Sequence, residues 1–447
     1  MTLILPEAVK KIISILESNG HEAYAVGGCV RDSILGKNPY DWDITTSALP
    51  EEIKSVFNRT IDTGIKHGTV TVRIFGEGYE VTTYRVDGDY LDGRHPKEVS
   101  FTASLEEDLA RRDFTINAMA YNDRSGLVDI FGGREDLENG ILRCVGDPEL
   151  RFTEDALRMM RALRFAAQLD FKIEPDTYAA IKKLHKRLEM VSAERIREEF
   201  LKLIVSDHPE LLDQMSEVGL TSVFLPEWDM MIGCEQNTPH HAYDVSGHTI
   251  RAMQGVDKDK DLRLAALLHD VAKPLTKTTD ESGDHFSGHP VLGEKMSKKI
   301  LSRLKFDNAT IARVSAMVLW HDVRPEPDKK SVRRVVSKMP ANIFPDIFSL
   351  KKADILAQSE YKREEKLQRL EAFQDLYNSI KQEGECISIG DLAVGGKDMM
   401  DIGISKGPMI GAMLKKLLDM VIDDPTLNEK EVLMDIARKE YEGEGNQ

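Results

Sequence analysis

The sequence predicts an α+β head followed by a long region built from helices alone. Three observations indicate this division. Short runs with the alternation of β-strands occupy the chain up to about residue 140. Beyond residue 150, apolar residues recur at helical spacing. Prolines then separate helices of ordinary length. A chain of 447 residues is also too long for one compact core, so we expect several domains.

The head begins with an amphipathic helix over residues 1–20, which we expect to stop at Asn19-Gly20. Four β-patterned runs follow it. The glycines of Gly76-Glu77-Gly78 predict a hairpin turn between the last two runs. Residues 87–96, DGDYLDGRHP, are rich in Gly and Asp, and we expect a mobile loop there. The four runs read YAVGG, DWDIT, TVTVRIF and YEVTTYRV.

The rest of the chain shows helical periodicity throughout. The segments EDALRMMRALRFAAQL and SAERIREEFLKLIV are examples. Only the final EYEGEGNQ has the composition of a disordered tail. Helix breakers stand at Pro209, Pro226, Pro239, Pro274, Pro290, Pro325 and Pro345.

Composition excludes some classes of protein and leaves others open. No run of about 18 apolar residues is present, so we expect no membrane span, and the N-terminus lacks a signal-peptide pattern. The four cysteines lie far apart, which indicates a reducing cytoplasm. A net charge of −16 disfavours a generally basic nucleic-acid binder. Phosphate binding needs positive charge only where phosphates lie, so nucleic-acid binding stays open.

Residues 25–44, AVGGCVRDSILGKNPYDWDI, contain the most informative pattern. Residues i and i+2 of a strand face the same side, so Asp41 and Asp43 project together. Two carboxylates held this close repel each other unless a divalent cation neutralises them, and hard oxygen ligands favour Mg²⁺. Gly27-Gly28 lets the backbone approach phosphates with its N–H groups exposed. Together these features predict nucleotide chemistry.

The order GGxxRD followed by DxD resembles the nucleotidyltransferase superfamily that includes DNA polymerase β and the poly(A) polymerases. The resemblance implies that two metal ions bridge Asp41, Asp43 and the triphosphate during an in-line displacement. Many members use a third carboxylate from a neighbouring strand. Glu80 is the candidate for it, and an exposed strand glutamate is the alternative.

Three further segments are similar to successive motifs of the bacterial-type (class II) tRNA nucleotidyltransferases, the CCA-adding enzymes and their poly(A) polymerase relatives. They are LEEDLARRDFTINAMA (105–120), TEDALRMMRALRFAAQ (153–168) and SAERIREEFLKL (192–203). The guanidinium fork of Arg112 suits a triphosphate, with a surface ion pair as the alternative. The resemblance implies that Gly27, Gly28 and Arg31 also bind the nucleotide.

Asp155, Arg158, Arg161 and Arg164 recur every three residues, which predicts one slowly rotating stripe on a helix. The resemblance implies that Asp155 and Arg158 form a protein template that selects C or A, with Arg161 and Arg164 supporting the base or phosphates. A solvated helix face with ion pairs is the alternative.

The choice between C and A addition stays open at this point. In this family a flexible loop after the hairpin is associated with switching from C to A addition, and residues 87–98 lie where that loop is expected. Its presence disfavours a CC-only enzyme. An A-adding enzyme or a poly(A) polymerase with the same head is the alternative to full CCA addition.

A second constellation has the order H…HD…H…H…D, which resembles the HD superfamily of metal-dependent phosphohydrolases. Histidine with carboxylate suits a transition-metal ion better than Mg²⁺. The alternatives are a site that keeps only the fold, and an HD phosphohydrolase whose head is secondary. We interpret His240-His241 as structural or RNA-facing. The ligand candidates are His248, His269, Asp270, His289, His321 and Asp354.

Gly403, Gly407-Pro408 and Gly411 punctuate a turn before a helix near the C-terminus, where we expect contacts to tRNA. A helix hairpin packed on the body is the alternative. The expected partners are tRNA, ATP and CTP, with no membrane and no obligate protein partner. The expected domains are a nucleotidyltransferase head (1–145), a helical neck with the base template (146–205), a helical body with the HD site (206–360) and a tRNA-binding helical tail (361–447).

Overall fold

A computed structural model of the chain describes residues 2–87, 99–405 and 407–444. It divides into two compact units, Met1–Asp229 and Met230–Gln447, here called the first and the second unit. The first unit contains the predicted α+β head, and helices dominate the second. Almost all of the loop predicted over 87–96 lies outside the described residues. The finer boundaries at 145, 205 and 360 stay predictions.

The first unit begins with interleaved helices and strands and ends with helices. The helices are α1 Glu7–Ser18, α2 Gly28–Ile34, α3 Pro50–Val56, α4 Leu105–Ala110, α5 Gly133–Asn139, α6 Pro148–Glu154, α7 Leu157–Leu169, α8 Pro175–Leu184, α9 Ala193–Ile204, α10 Leu211–Glu217, α11 Thr221–Phe224 and α12 Pro226–Met231. The strands are β1 Ala23–Val26, β2 Ile44–Thr46, β3 Thr60–Gly64, β4 Thr69–Ile74, β5 Glu77–Thr83, β6 Arg85–Asp87, β7 Val99–Phe101, β8 Met119–Asn122, β9 Gly126–Asp129, β10 Ile141–Leu142 and β11 Lys172–Ile173.

A seven-stranded mixed sheet forms the head, in the order β3-β4-β5-β2-β1-β8-β9. β1 is buried along its whole length and pairs antiparallel with β2 and β8. β2 pairs parallel with β5, with Ile44 opposite Val81. This register brings the start of β2 beside the middle of β5. Glu80 on β5 and the segment that leads from Asp41 into β2 are therefore neighbours.

The predicted head elements are largely confirmed. α1 ends before Asn19, and β4 and β5 form the expected hairpin. The turn itself lies at Phe75-Gly76, one residue earlier than predicted, since both residues adopt positive φ angles of 52° and 91° and β5 already begins at Glu77. Two-residue turns with positive φ match the right-handed twist of paired strands, which explains the shift.

The second unit consists of helices with one small hairpin. The helices are α13 Val245–Gln254, α14 Lys260–Leu268, α15 Lys273–Thr276, α16 His289–Arg303, α17 Asn308–Trp320, α18 Lys329–Val336, α19 Asp346–Ala357, α20 Arg363–Gln382, α21 Gly396–Asp401, α22 Pro408–Asp423 and α23 Lys430–Glu444. The hairpin strands are β12 Thr278–Asp280 and β13 Gly283–His285.

That hairpin corrects the prediction of a helical pattern throughout. The Asp280 carboxylate accepts hydrogen bonds from the Ser282 N–H (2.8 Å) and hydroxyl (2.6 Å), and Gly283 follows at a φ of 119°. Side-chain bonds of this kind stabilise turns over helices. In the part of the chain that the structure describes, no helix is both long and apolar enough to cross a bilayer.

Gly133 in α5 tests how closely this helix packs against the backbone at Thr115. A Cβ at this position would lie 2.2 Å from the Thr115 carbonyl oxygen, so the backbone must move to accept one. We expect Gly133→Ala to lower stability by about 1–3 kcal/mol and the melting temperature by roughly 2–10 °C. Circular dichroism on heating measures this. Glu135→Ala, at an exposed position of the same helix, should leave the melting temperature unchanged, and an equal loss in both variants would contradict the packing argument.

Candidate active sites

The turn between β1 and α2 is a backbone cradle with no room for side chains. Gly27 adopts φ 81° and ψ −131°, and its N–H donates to the Met119 carbonyl oxygen at 3.1 Å. A Cβ on Gly27 would lie 3.0 Å from Arg112 Nη1. The positive φ and this close approach both require glycine. The structure therefore brings Gly27 and Arg112 together, but the Gly27 N–H is already bonded, which corrects the prediction that the N–H groups of both glycines are exposed.

Arg31 points back towards this turn. Its Nη1 donates to Asn117 Oδ1 at 2.6 Å, and its guanidinium carbon lies 5.0 Å from the centre of the Phe165 ring. A Cβ on Gly28 would lie 3.6 Å from Arg31 Nη2. The side chain is 8% exposed, so its charge is held in one place beside the cradle.

Asp43 and Glu80 line one cavity of about 240 Å³ together with Arg85, Arg111 and Arg112. Solvent reaches Asp43, yet the protein packed around it and the negative charge of Asp41 raise the pKa of this carboxyl group to about 6, and Arg112 opposes the shift. Glu80 adds to the repulsion. The three predicted carboxylates are thus electrostatically coupled, although Asp41 lies outside the cavity lining.

Trp42 fixes the two aspartates just before β2, which begins only at Ile44, so the prediction that both carboxylates lie on a strand is wrong. The Trp42 residue is 7% exposed, and its backbone N–H donates to Asp41 Oδ1 at 3.0 Å. The Asp43 carbonyl oxygen accepts the Val26 N–H at 3.0 Å, which ties the segment to β1. The single tryptophan between the aspartates therefore anchors the segment while both carboxylates remain accessible.

Asp108, fully buried, holds two of the three arginines that line the cavity. Its carboxylate accepts from Arg111 Nη2 (2.8 Å), Arg112 Nη2 (3.4 Å) and the Thr45 hydroxyl (3.0 Å). Burial opposes its ionisation, but the positive charges of Arg111 and Arg112 outweigh burial and lower its pKa. Thr45 lies on β2, so this one carboxylate fixes the cationic side of the cavity relative to the strand that follows Asp43.

Asp155 corrects the predicted helical stripe. It lies between α6 and α7 with extended backbone angles, φ −137° and ψ 105°. Its Oδ1 accepts the Leu157 N–H at 3.0 Å and its Oδ2 accepts Arg195 Nη2 at 2.9 Å. The carboxylate thus bonds to the first turn of α7 and takes no place on its face, because a short polar side chain competes for backbone N–H groups.

Arg158 lies on α7 near Asp155 but does not pair with it. It donates to Glu154 Oε2 at 2.8 Å and to the Arg111 carbonyl oxygen at 2.8 Å. Glu154 also contacts Arg151 Nη2 at 2.6 Å. The guanidinium is only 8% exposed and is held by three partners, the Glu154 carboxylate and the carbonyl oxygens of Arg111 and Arg151.

Arg161 and Arg164 are bound to protein carboxylates. Arg161 donates through Nε and Nη2 to Asp113 Oδ2, at 2.8 and 2.6 Å. Arg164 Nε donates to buried Glu199 Oε2 at 2.8 Å. Asp113 also accepts from Asn117, the partner of Arg31, at 3.0 Å. A continuous network of hydrogen bonds therefore joins α7 to Arg31 beside the turn between β1 and α2.

The six predicted HD ligands fall into two buried groups in the second unit. Within each group the three donor atoms lie within 4.8 Å of one another. Five helices deliver them. α13 carries His248 and α16 begins with His289, His269-Asp270 and His321 directly follow α14 and α17, and α19 carries Asp354. The groups are His248, His269 and Asp354, and Asp270, His289 and His321.

The Asp270 carboxylate lies between the two groups. Its Oδ2 is 3.1 Å from His269 Nε2 and 3.5 Å from His248 Nε2. Its Oδ1 is 3.4 Å from His289 Nε2 and 3.8 Å from His321 Nε2. One oxygen thus faces each group, which is the geometry of a carboxylate that bridges two cations.

The tautomers of His289 and His321 indicate whether a metal ion fits between these residues, because a metal ligand needs a nitrogen with a free lone pair. His289 Nδ1 and His321 Nδ1 each lie within hydrogen-bond distance of a carbonyl oxygen three residues earlier, at 2.8 and 2.6 Å. These bonds place the proton on Nδ1 and leave Nε2 with a lone pair. The two Nε2 atoms nevertheless face each other at 3.2 Å. Two lone pairs repel at that distance, so the donor set fits a bound metal ion.

The other residues around these groups also favour an anionic ligand near metals. Burial, and then the charge of Lys273, lower the pKa of His241 to about 3, and its ring lies 5.4 Å from that of His248. Lys273 Nζ is 2.7 Å from Asp270 Oδ2. The Nδ1 atoms of His240 and His241 are buried, with no hydrogen-bond partner among the described residues. His240-His241 thus lies beside the cluster.

Three family models match the chain. The poly A polymerase head domain matches residues 23–143. A domain described as "Probable RNA and SrmB-binding site of polymerase A" matches residues 170–232. A tRNA nucleotidyltransferase domain 2 matches residues 290–437. The first match covers the cradle and the carboxylates.

Full-length relatives decide the family. The CCA-adding enzyme of Leuconostoc mesenteroides is 37% identical over 445 residues, which are 97% of this chain and 96% of that enzyme. The chain belongs to the CCA-adding enzyme family. This family member is a nucleotidyltransferase, as the sequence predicts. The CCA-adding enzyme of Ligilactobacillus salivarius is 54% identical over 209 residues, 46% of this chain and about half (52%) of that enzyme.

Solved structures agree with this family. The Bacillus stearothermophilus CCA-adding enzyme in complex with CTP shares 30% identity and a TM-score of 0.71, covering 99% of this chain and 100% of that one. The Thermotoga maritima CCA-adding enzyme complexed with tRNA has a TM-score of 0.58 at 20% identity, covering 97% and 95%, which shows a common fold.

Two buried carboxylates that bind arginines of the first unit, Asp108 and Glu199, were not predicted from the sequence. Asp108 follows Leu105 by three residues, and Glu199 follows Ile196 by three, so each carboxylate lies on the apolar face of its helix. A carboxylate in that position is rarely buried without a partner. A carboxylate on the apolar face of a helix was therefore the sequence signal that could have identified these two residues. Both lie within the motifs on which the family resemblance rests.

The Asp113–Arg161 pair provides a test of the network. Asp113→Asn keeps the size of the side chain but leaves Arg161 without its counter-charge. We expect a loss of stability of about 1–3 kcal/mol and a matching fall in melting temperature. Glu138→Gln, which breaks an exposed pair with Arg134, should shift stability by less than about 0.5 kcal/mol. Equal effects of the two substitutions would show that the buried network adds no stability.

Proposed function

We propose that this protein adds CMP, CMP and AMP to the 3′ end of tRNA, from CTP and ATP and without a nucleic-acid template. This proposal rests on one cavity, which Asp43 and Glu80 line together with Arg111 and Arg112. Anionic and cationic groups side by side suit a triphosphate with its counter-ions. The full-length relatives are CCA-adding enzymes, which supports this activity over A addition or poly(A) synthesis.

In this proposal the chain's residues bind and orient the nucleotide. Gly27 and Gly28 bring backbone to the phosphates, and Arg31 and Arg112 neutralise them. Asp41 and Asp43, with Glu80 as the third carboxylate, hold Mg²⁺. When bound, the ion supplies charge neutralisation to the attacking and leaving oxygens. The tRNA 3′-hydroxyl attacks the α-phosphate, and pyrophosphate leaves.

Base selection in this proposal rests on Asp155 and Arg158. Arg195 holds the Asp155 carboxylate in place, and Glu154 holds the Arg158 guanidinium in place. A carboxylate and a guanidinium held in this way can pair with the hydrogen-bonding edge of C or A. We also place the protein in the cytoplasm, because all four cysteines are free thiols.

Asp43→Asn tests the head. We expect nucleotide incorporation to fall by at least about 1,000-fold, because the metal-binding charge is lost, while tRNA binding in a gel-shift assay persists. Glu77→Gln, an exposed change on the same strand as Glu80, is the control and should retain activity. The substrates are tRNA lacking CCA and tRNA ending in CC, with CTP, ATP or both. Failure of the unmodified protein to add C to the first substrate would leave an A-adding enzyme.

A second function is favoured by the Asp270 bridge between two donor groups. We propose that the second unit is a metal-dependent phosphohydrolase that binds two transition-metal ions. Water attacks phosphorus, the phosphorus–oxygen bond to the leaving group breaks, and the leaving oxygen takes up a proton. In this proposal Lys273, at 2.7 Å from Asp270, and His241, whose Nδ1 is buried, bind the phosphate.

Metal content tests this second function. We expect about two Mn, Fe, Co, Ni or Zn ions per chain by elemental analysis, and near-complete loss in Asp270→Asn, because both groups share that carboxylate. His285→Ala is the matched control, since that imidazole bonds Asp280 and belongs to neither group. CCA addition should be unchanged in both variants. Full metal content in Asp270→Asn would exclude the bridging arrangement.

A further inference from the structure

The cavity that Asp43 and Glu80 line extends across four neighbouring strands of the head sheet. Val26 lines it at the end of β1, and Thr82 on β5 and Thr69 on β4 line it on the other side of Asp43. Neighbouring strands lie about 4.8 Å apart, so the three spacings from β1 to β4 amount to roughly 14 Å. The proposed function uses the β1 end of the cavity and assigns no role to the β4 end.

A pair of threonine hydroxyls lies at the β4 end. Thr69 and Thr82 are opposite each other in the antiparallel pair of β4 and β5, and their Oγ1 atoms are 3.0 Å apart. One hydroxyl donates to the other, and the second O–H can donate to a ligand. Thr82 follows Glu80 by two residues on β5, so the two side chains face the same side of the sheet. A hydrogen-bond donor therefore lies beside the proposed third carboxylate.

Arg85 brings a guanidinium to this end of the cavity. It lies on β6, which follows β5 closely, and it lines the cavity together with Thr69 and Thr82. Its Nη1 donates to the carbonyl oxygen of His67, two residues before β4 begins at Thr69. Its backbone N–H donates to Asp108 Oδ1 at 3.4 Å. These bonds hold Arg85 at the β4 end.

Phe101 fixes the strand that carries Arg85. The two residues are opposite each other in the antiparallel pair of β6 and β7. Gly68 adopts a φ of 79°, and a Cβ on it would lie 2.7 Å from Phe101 Cε1. The ring therefore packs directly on this glycine at the start of β4. Packing of this kind gives a binding group a defined position.

In-line transfer assigns the two ends of the cavity to different substrates. The attacking and leaving oxygens lie on opposite sides of the phosphorus atom. In the proposed function the triphosphate lies at Gly27 and Arg112, which meet at the β1 end. The attacking 3′-hydroxyl of the RNA then approaches from the β4 end, where Arg85 lies. A guanidinium suits the phosphodiester that precedes the last ribose of that RNA.

We propose that Arg85, with the hydroxyls of Thr69 and Thr82, binds the last phosphodiester of the RNA acceptor and so directs its 3′-hydroxyl at the α-phosphate. The inference rests on the proposed function and names the residues that hold its second substrate. The hydroxyl oxygen bonds to the α-phosphorus, the bond from that phosphorus to pyrophosphate breaks, and the hydroxyl proton passes to water.

An acceptor that lacks the charge of its last phosphodiester tests this contact. The unmodified protein and Arg85→Gln each receive tRNA lacking CCA, with either a natural phosphate or an uncharged methylphosphonate as the last linkage. We expect each single change to lower kcat/KM for the acceptor at least about 10-fold, because a charge-assisted hydrogen bond is lost. The two changes together should cost little more than either alone, since both remove the same contact. Arg85→Lys keeps the charge and should restore most of the activity.

Further variants separate this contact from nucleotide binding and from folding. The Kd for CTP, measured by calorimetry without RNA, should be unchanged in Arg85→Gln and weakened in Arg31→Gln. Arg73→Gln, exposed on the β4–β5 hairpin, is the matched control and should leave turnover of the natural acceptor unchanged. Thermal melting checks the fold of each variant. If Arg85→Gln is unstable, Thr69→Val removes one hydroxyl from the same end and repeats the comparison, with an expected loss of several-fold.

Failure of this inference is distinguishable from failure of the proposed function. Losses from Arg85→Gln and the methylphosphonate that multiply would show that the two groups do not meet, which overturns the inference. Weaker CTP binding in Arg85→Gln, as in Arg31→Gln, would place Arg85 on the triphosphate and overturns it as well. Fluorescence anisotropy with a labelled hairpin acceptor repeats the comparison without turnover. Coupling there supports the contact even if the unmodified protein adds no nucleotide, in which case the proposed function alone fails.

Discussion

Repulsion between like groups held close together is the constraint that shapes both candidate sites. In the head, Asp41, Asp43 and Glu80 lie near enough to raise the pKa of Asp43 to about 6, with burial as the larger cause. In the second unit, imidazole lone pairs face each other at 3.2 Å. Neither arrangement is favourable alone. A bound cation would relieve the repulsion in each arrangement, so the close spacing of the donor groups favours metal binding.

The fold can hold such arrangements because buried ion pairs position their surroundings. Asp108 binds Arg111, Arg112 and Thr45 of β2, and Asp113 binds Arg161 of α7. Breaking one partner of a buried pair is costly, whereas an exposed pair moves freely. The carboxylates that do no chemistry thus determine where the functional arginines point. The head site depends on both kinds of acidic residue.

The predictable and unpredictable parts of the sites differ in physical origin. The metal-binding roles of Asp41, Asp43 and the HD residues stay predictions, but their proximity was predicted, from two aspartates at short spacing in the head and from the order of residue types over 248–354 in the second unit. The position of Asp155 was not, because a helix stripe and a bond to the Leu157 N–H agree with the same sequence, and only the backbone angles distinguish them. The turn at Phe75-Gly76 was misplaced by one residue for the same reason. The hairpin β12–β13 was missed because its strands are three residues each.

Helix α20 has a consequence for how the second unit is encoded. Every HD ligand lies before residue 355, whereas α20 begins at Arg363. The recess beside these residues draws on both stretches, since His321 and Asp354 line it together with Leu370 and Phe373 of α20. The ring centres of Phe348 on α19 and Phe373 on α20 lie 5.1 Å apart, so a later stretch of the chain supports the helix that bears Asp354. Substitutions on this face of α20 therefore reach Asp354 through α19, and the two stretches of the gene evolve under a shared constraint.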